Sequence, residues 1–265
     1  MSRRVLVTGA ASGLGAALVE RFAARGDRVL ATDLSEPQVA MATPGSDNSV
    51  VGRRLDVTSE DDWAAAAAWV ESEWGGLDVL VNNAGVAGGG RLELCSLEDW
   101  RWIFDINLFG VVRGTRAFVP MMKRQGSGRV VNTASLAGLV HPPGMGSYNA
   151  VKAAVVAFSE TMSHELAPYG VGCTAVCPSY FRTNLMSSLR GEDTDLQAHI
   201  TRLVEKSPIT ADDIAVAVLD GIDRGLDLVV PDDPARAAYA LKLADRPAYD
   251  AQMRATAARA KERDA

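Results

Sequence analysis

The stretch Tyr148-Asn149-Ala150-Val151-Lys152 sets a phenol and an ammonium four residues apart, on one face of any helix that carries them. A phenol with an ordinary pKa near 10 is a poor base at neutral pH. An ammonium about 5 Å away, at an effective dielectric near 20, favours the phenolate by roughly 3 kcal/mol, or about two pKa units. A tyrosine tuned in this way acts as acid or base at roughly pH 7 to 8. That suits hydride transfer between a secondary alcohol and a nicotinamide ring, because the hydroxyl proton must leave as the hydride leaves carbon. Ser135, at the end of a predicted strand, adds a donor for the developing oxyanion. A Tyr-x-x-x-Lys pair is commonplace by itself. Its weight here comes from its place, at the opening of the helix that follows the strand ending in Ser135.

A second group of residues is suited to phosphate. Arg3 to Val7 is an apolar, β-branched run that meets Thr8-Gly9-Ala10-Ala11-Ser12-Gly13-Leu14-Gly15 and then the helix-forming stretch from Ala16 to Phe22. Gly9 permits the turn, Gly13 leaves the backbone open to a pyrophosphate, and Gly15 lets helix and strand pack closely. Free N–H groups and the positive end of the helix dipole then face an anion. The bland alternative is a tight strand-to-helix turn without a ligand. The next strand, Asp27 to Asp33, ends in a carboxylate at the position that faces the adenosine ribose in a dinucleotide fold. Asp33 would accept from two free ribose hydroxyls and repel a 2'-phosphate. Neither Ser12 nor Leu34 is a cation, so the expected cofactor is NAD rather than NADP. The competing role for Asp33 is to start a turn through Leu34-Ser35-Glu36-Pro37.

The elements that must carry these residues alternate. Ser35 to Ser49 reads as a loop, with room for a short helical turn. Val50 to Val57 reads as a third strand, and Thr58-Ser59-Glu60-Asp61-Asp62 caps an Ala-rich helix through Trp74. Leu77 to Asn82 is a fourth strand leaving through Asn83-Ala84-Gly85. A helix pair starts at Ser96, with Trp100, Ile103, Phe104 and Leu108 spaced for the core. Arg129 to Ser135 is the fifth strand, Gly138 to Gly146 a loop, and the helix bearing Tyr148 should run to about Tyr169. Val171 to Pro178 is the sixth strand, and Leu226 to Pro231 reads as a seventh. The expected fold is a single-domain α/β, Rossmann-type, doubly wound parallel sheet of about seven strands with helices on both faces. It occupies residues 1–231, and residues 232–265 form a C-terminal helical extension.

Bulk properties narrow the partners. The 265 residues are 48% hydrophobic and 23% charged, as in ordinary globular chains, and the net charge of -6 disfavours nucleic acid. No run approaches the roughly 18 apolar residues of a membrane span. A strand at the very start predicts no cleaved signal segment. Three cysteines make no disulfide framework, and Cys173 and Cys177, about 13 Å apart on one strand, are too far apart to bridge. A reducing, cytoplasmic setting follows from this reading. His141, His164 and His199 have no metal-ligand spacing, so no metal is expected.

These motifs, in this order, resemble the short-chain dehydrogenase/reductase family, above all its single-domain branch of roughly 250 residues. The likeness rests on the stretch from Thr8 to Gly15, Asp56-Val57, Asn82-Asn83-Ala84-Gly85, Asn107, Ser135 and the Tyr148/Lys152 pair. It covers about Arg3 to Thr183 with specific motifs and reaches Pro231 more loosely. It implies that Tyr148 is the acid/base, that Lys152 lowers its pKa and binds the nicotinamide ribose, and that Ser135 orients the substrate oxygen. Asn107 would hold a water linking Lys152 to solvent. Gly9, Ser12, Gly13, Leu14, Gly15, Asp33, Asp56, Val57, Asn83, Ala84 and Gly85 would bind the adenosine and phosphates. Pro178, Phe181 and Thr183 would meet the carboxamide. A homodimer or homotetramer built through the helices around Asn107–Lys123 and Ser147–Tyr169 is implied as well.

Two departures stand out. Ser179 replaces the usual glycine, and the usual Asp-Gly-Gly ending is absent. The extension, with Tyr239, Leu241, Leu243, Tyr249 and Met253, is open to three roles: covering the pocket, packing on a partner, or a solvated tail. Residues 183–208 resemble the family's substrate lid. Their apolar Leu185, Met186, Leu189, Leu196, Ile200 and Leu203, beside Val86, Leu92, Leu136, Leu139, Pro142, Met145 and Tyr180, suit an apolar alcohol or ketone of cyclic, steroid-like or aryl type. The alternatives are a reductase of acyl or sugar-like ketones, a non-catalytic NAD-binding protein, and an epimerase or dehydratase of the family.

Overall fold

The structure is a computed structural model that describes residues 2–37 and 50–263. Most of the predicted Ser35–Ser49 loop therefore lies outside the described residues. Strand β1 (Arg4–Thr8) carries the buried run Val5, Leu6 and Val7, and it passes through the glycine turn into helix α1 (Gly13–Ala24). Strands β2 (Arg28–Asp33) and β3 (Val50–Arg54) follow, then α2 (Glu60–Trp74), whose start is capped by the Ser59 side chain accepting from the Asp62 amide. Strand β4 (Val79–Asn82) leads to α3 (Leu97–Phe104), capped by a reciprocal Ser96–Asp99 pair. The predicted helix pair is joined by a wide π turn, Asp105–Phe109, into α4 (Gly110–Gln125). Next come β5 (Gly128–Thr133), the short α5 (Ala137–Val140), α6 (Gly146–Leu166) and β6 (Val171–Val176). A five-residue 3-10 turn, Asn184–Ser188, and α7 (Thr194–Glu205) precede α8 (Ala211–Asp223), β7 (Leu228–Val229), α9 (Asp233–Ala244) and α10 (Arg246–Arg263).

All seven strands are parallel, in the order β3-β2-β1-β4-β5-β6-β7. The chain order reverses between β1 and β4, so the carboxyl ends of those strands open a crevice there. Both faces of the sheet are covered. Phe22, Leu18 and Leu219 bury one face, and Trp63, Phe118, Leu80 and Met122 bury the other. Each such side chain contributes on the order of 2 kcal/mol when fully removed from water. Among the described residues no helix is long and apolar enough to cross a membrane.

Strand β7 is shorter than the predicted Leu226–Pro231 for two reasons. The Leu226 carbonyl accepts from the Arg129 guanidinium (3.3 Å) and the Thr174 hydroxyl (2.7 Å) instead of a neighbouring strand. Pro231 has no N–H to offer. The extension packs against the outside of the α5 and α6 region. Tyr249 is buried there with Leu139, Val140, Val155 and Val156 around it. Lys242 donates to the Leu139 carbonyl and to Nδ1 of His141 (3.0 Å), closing α5 at a residue with φ 52°.

Candidate active site

The crevice is a single cavity of about 850 Å³ running from Asp33 at one end to Ile200 and Val204 at the other. Its floor is the glycine turn. Gly9 has φ +66°, and a Cβ there would lie 2.8 Å from Cα of Ala84. A Cβ on Gly13 would lie 2.7 Å from Oγ1 of Thr183, and one on Gly15 would overlap the Gly9 carbonyl. Ser12 ends the turn without capping α1 through its side chain, which leaves first-turn N–H groups for an anion. Thr8 fixes the facing turn, since its hydroxyl accepts from the amides of Asn83 (3.0 Å) and Ala84 (2.9 Å).

Most of the predicted binding residues line this cavity: Gly9, Ser12, Leu14, Asp33, Asp56, Val57, Asn83, Ala84, Gly85, Pro178, Phe181 and Thr183. Gly13 and Gly15 do not, and act through close backbone packing. The Asp33 carboxylate accepts from the amides of Ala11 (2.9 Å) and Leu34 (2.7 Å), which holds it at the rim of the crevice with lone pairs to spare. Asp56 accepts from the Thr58 amide (2.9 Å) and hydroxyl (2.7 Å). The Asn83 side chain turns toward the sheet, where it donates to the Thr8 carbonyl (2.9 Å) and accepts from the Thr133 hydroxyl (3.3 Å).

Ser135, Tyr148 and Lys152 come together where β5 and α6 meet. The Ser135 hydroxyl is near enough to the Tyr148 phenol to favour its ionisation, and it accepts from the Ala137 amide (3.1 Å). Lys152 Nζ donates to the Thr133 carbonyl (2.8 Å) and lies 5.8 Å from the centre of the Tyr148 ring. Both side chains are buried, and burial governs their titration. It pushes the phenol up to about 12 against the pull of the Ser135 hydroxyl, and it pulls the ammonium down to about 8. The expected two-unit depression of the phenol therefore does not arise within the protein alone. Desolvation outweighs a lysine whose charge is aimed at a carbonyl.

These shifts set the alkaline stability of the protein. The lysine releases its proton near pH 8 in the folded chain and near 10.5 in the unfolded chain, so between those values the unfolded state binds more protons and stability rises with pH. Above about pH 10 the tyrosine reverses the sign, because the folded phenol keeps its proton to about 12. Urea titrations from pH 7 to 10 should show wild type gaining stability relative to Lys152→Met. Parallel curves would contradict the lysine shift.

Asn107 lies in the π turn Asp105–Phe109, beside the chain leaving β4. It is 1% exposed and does not line the cavity. Its amide accepts from the Val86 N–H (2.8 Å) and donates to the Val86 carbonyl (2.9 Å), so the side chain is committed to the main chain beyond β4. The π turn around it shifts the backbone hydrogen bonding there by one residue.

The far half of the cavity is apolar, walled by Val86, Trp102, Met145, Tyr180, Met186, Leu189 and Ile200. Four expected wall residues do not line it. Leu92 and Leu203 face solvent at 76% and 39% exposure, while Leu139 packs under the extension and Leu196 packs at Gly144. Trp102, Val140 and Val204 take their places, which helical spacing alone did not single out. The covering segment is pinned by a half-buried ion pair: Arg91 Nε meets Asp193 Oδ2 at 2.9 Å, with the Asp193 side chain 1% exposed and that of Arg91 37%. At its other end the Ser207 hydroxyl donates to the Tyr180 carbonyl (2.7 Å).

A family model described as short chain dehydrogenase matches residues 3–194. The chain belongs to the short-chain dehydrogenase family. A family member from Xanthobacter autotrophicus, a 2-(R)-hydroxypropyl-CoM dehydrogenase, is 38% identical over 227 residues, covering 83% of this chain and 90% of that protein. A Burkholderia phymatum short chain dehydrogenase/reductase solved in complex with NAD superposes with a TM-score of 0.83 at 31% identity, over 92% of this chain and 94% of the other. A Burkholderia cenocepacia short chain dehydrogenase in complex with NADP gives 0.81 at 30% identity, over 95% and 97%. This dehydrogenase is thus an oxidoreductase on an NAD(P)-binding fold, and its glycine cradle fits a dinucleotide.

Proposed function

We propose that the protein is an NAD(H)-dependent oxidoreductase that interconverts an apolar secondary alcohol, of cyclic, steroid-like or aryl type, and its ketone. The observation that carries this reading is the meeting of Ser135, Tyr148 and Lys152 in one cavity between an acidic rim at Asp33 and an apolar wall. The bound nicotinamide supplies the hydride acceptor or donor. Tyr148 takes the proton from the substrate hydroxyl in oxidation and returns it in reduction. Ser135, beside the phenol, donates to the substrate oxygen as charge builds there. Lys152 contributes a buried positive charge beneath the ribose side of the site and steadies the β5 exit through Thr133. Among the residues lining the cavity Lys152 is the one Lys or Arg, so the far half offers no cation to an acidic or phosphorylated substrate. The relative named above is a dehydrogenase of a secondary alcohol, which supports the reaction class.

Preference for NAD rests on Asp33 and on the absence of a cation at Leu34. Steady-state kinetics with both cofactors should favour NAD by at least ~10-fold, and Asp33→Ala should cut that preference by about the same factor by removing like-charge repulsion of a 2'-phosphate. A wild-type preference for NADP would overturn this part of the reading. Turnover confined to charged small sugars in a panel with cyclic and aryl ketones would overturn the substrate class. A homodimer or homotetramer through α4 and α6 and a cytoplasmic setting belong to the same reading, supported by half-exposed Phe109 and the free Cys95, Cys173 and Cys177.

A further inference from the structure

Position 179 usually holds glycine in the family, and the serine found there has a partner that glycine could not take. The Ser179 amide donates to Oδ2 of Asp232 (2.9 Å), and its hydroxyl donates to Oδ1 (2.5 Å). Oδ1 also accepts from the Ala235 amide (2.9 Å), so the same carboxylate caps α9. Asp232 is 7% exposed, and among the described residues it has no cationic partner. A carboxylate withdrawn from water in this way is tolerable only while its hydrogen bonds are made, and two of its three donors belong to Ser179.

We propose that Asp232 is a positioning residue for the loop Pro178–Thr183, fastening the wall that would face the nicotinamide to the start of α9, three residues past β7. The proposal rests on the cofactor reading above. Asp232 does not line the cavity, so whatever it does there it does through Ser179, which does. The loop is also held at Tyr180, whose carbonyl accepts from the Ser207 hydroxyl (2.7 Å), and at its ends. The Pro178 carbonyl accepts from the Leu136 amide (2.9 Å), next to Ser135, and the Arg182 amide donates to the Ile209 carbonyl (3.0 Å). Between them, on the β7 side, the Asp232 carboxylate is the fastening. Ser179 has no left-handed backbone, since His141 is the one non-glycine residue with positive φ among those described. Glycine's conformational freedom is therefore not required at this position, and the hydroxyl is what the substitution adds. The C-terminal extension thereby replaces the missing Asp-Gly-Gly ending with a clamp on the cofactor side of the site.

The test uses the full chain as wild type, Asp232→Asn, Ser179→Ala and the double variant. Two readouts are taken: NADH dissociation constants by fluorescence, and amide hydrogen exchange over residues 178–183. Asp232→Asn should weaken NADH about 10-fold and speed loop exchange at least ~10-fold, Ser179→Ala, which keeps the helix cap, should weaken NADH about 3-fold, and the double variant should be no worse than Asp232→Asn. A drop in Tm with NADH affinity and loop exchange unchanged would reduce Asp232 to a helix cap and overturn the proposal, as would strictly additive effects. If wild type itself does not bind NADH, the cofactor reading falls, while the exchange measurement still decides whether the clamp exists.

Discussion

Replacing Tyr148 by phenylalanine should lower kcat by about 10³-fold and leave NADH affinity within about 3-fold of wild type, because general acid–base catalysis of this kind contributes roughly 10²- to 10⁴-fold. The split follows from the geometry. The phenolic oxygen is the one atom of the side chain that would exchange a proton with substrate, whereas the ring is buried among Ile103, Val151 and Ile200, contacts that phenylalanine keeps. The Ser135 hydroxyl retains the bond from the Ala137 amide and stays in place. Steady-state rates on whichever ketone the panel identifies, paired with fluorescence titration of NADH, check both halves. A variant retaining a tenth or more of wild-type turnover would remove Tyr148 from proton transfer. Since burial lifts the phenol to about 12, the alcohol-oxidation rate of wild type should keep climbing with pH well above neutrality. The positive charge of the oxidised nicotinamide acts against the desolvation that raises the phenol, and that of Lys152 does so only below its own titration near pH 8.

The second large effect is expected at Gly15. Any side chain there would drive its Cβ into the Gly9 carbonyl and to 2.8 Å from Nδ2 of Asn83. Neither neighbour can give way cheaply. Gly9 is held at φ +66° against Ala84, and the Asn83 amide is bonded to the Thr8 carbonyl. Gly15→Val should therefore displace the start of α1 from β1, at a cost of about 1–3 kcal/mol in overpacking, and weaken NADH by at least ~100-fold. Differential scanning fluorimetry and NADH titration read the two effects separately. Wild-type affinity in a stably folded Gly15→Val protein would show that the turn does not carry the phosphates.

Much of this architecture is local in origin, which is why it can be read from the chain. Val5-Leu6-Val7 must be a buried strand, Gly9 and Gly13 must turn, and Tyr148 and Lys152 share a face once α6 forms. Features decided by distant partners are not legible in this way. The shortness of β7 depends on Arg129 and Thr174 capturing the Leu226 carbonyl, across separations of 97 and 52 residues. Ser179 and Asp232 lie 53 apart, and Asp232 taken alone signals only a helix cap before Pro234. The titration of Tyr148 turned on burial, which spacing does not report. Leu92 and Leu203 fit an apolar stripe but face solvent, because the ion pair between Arg91 and Asp193 fixes how the covering segment is rotated onto the cavity.

That ion pair holds the segment Asn184–Glu205 near its middle, and the Ser207–Tyr180 bond holds it just past its end, both outside the glycine turn. Three of the side chains that would select a substrate, Met186, Leu189 and Ile200, are thus borne by a different stretch of chain from those that would carry hydride and proton. Leu189 lies outside the cluster that buries Tyr148 and is the freest of these to drift, whereas Ile200 and Met186 pack in or against that cluster. A lineage built on this plan can change its diet while keeping its chemistry.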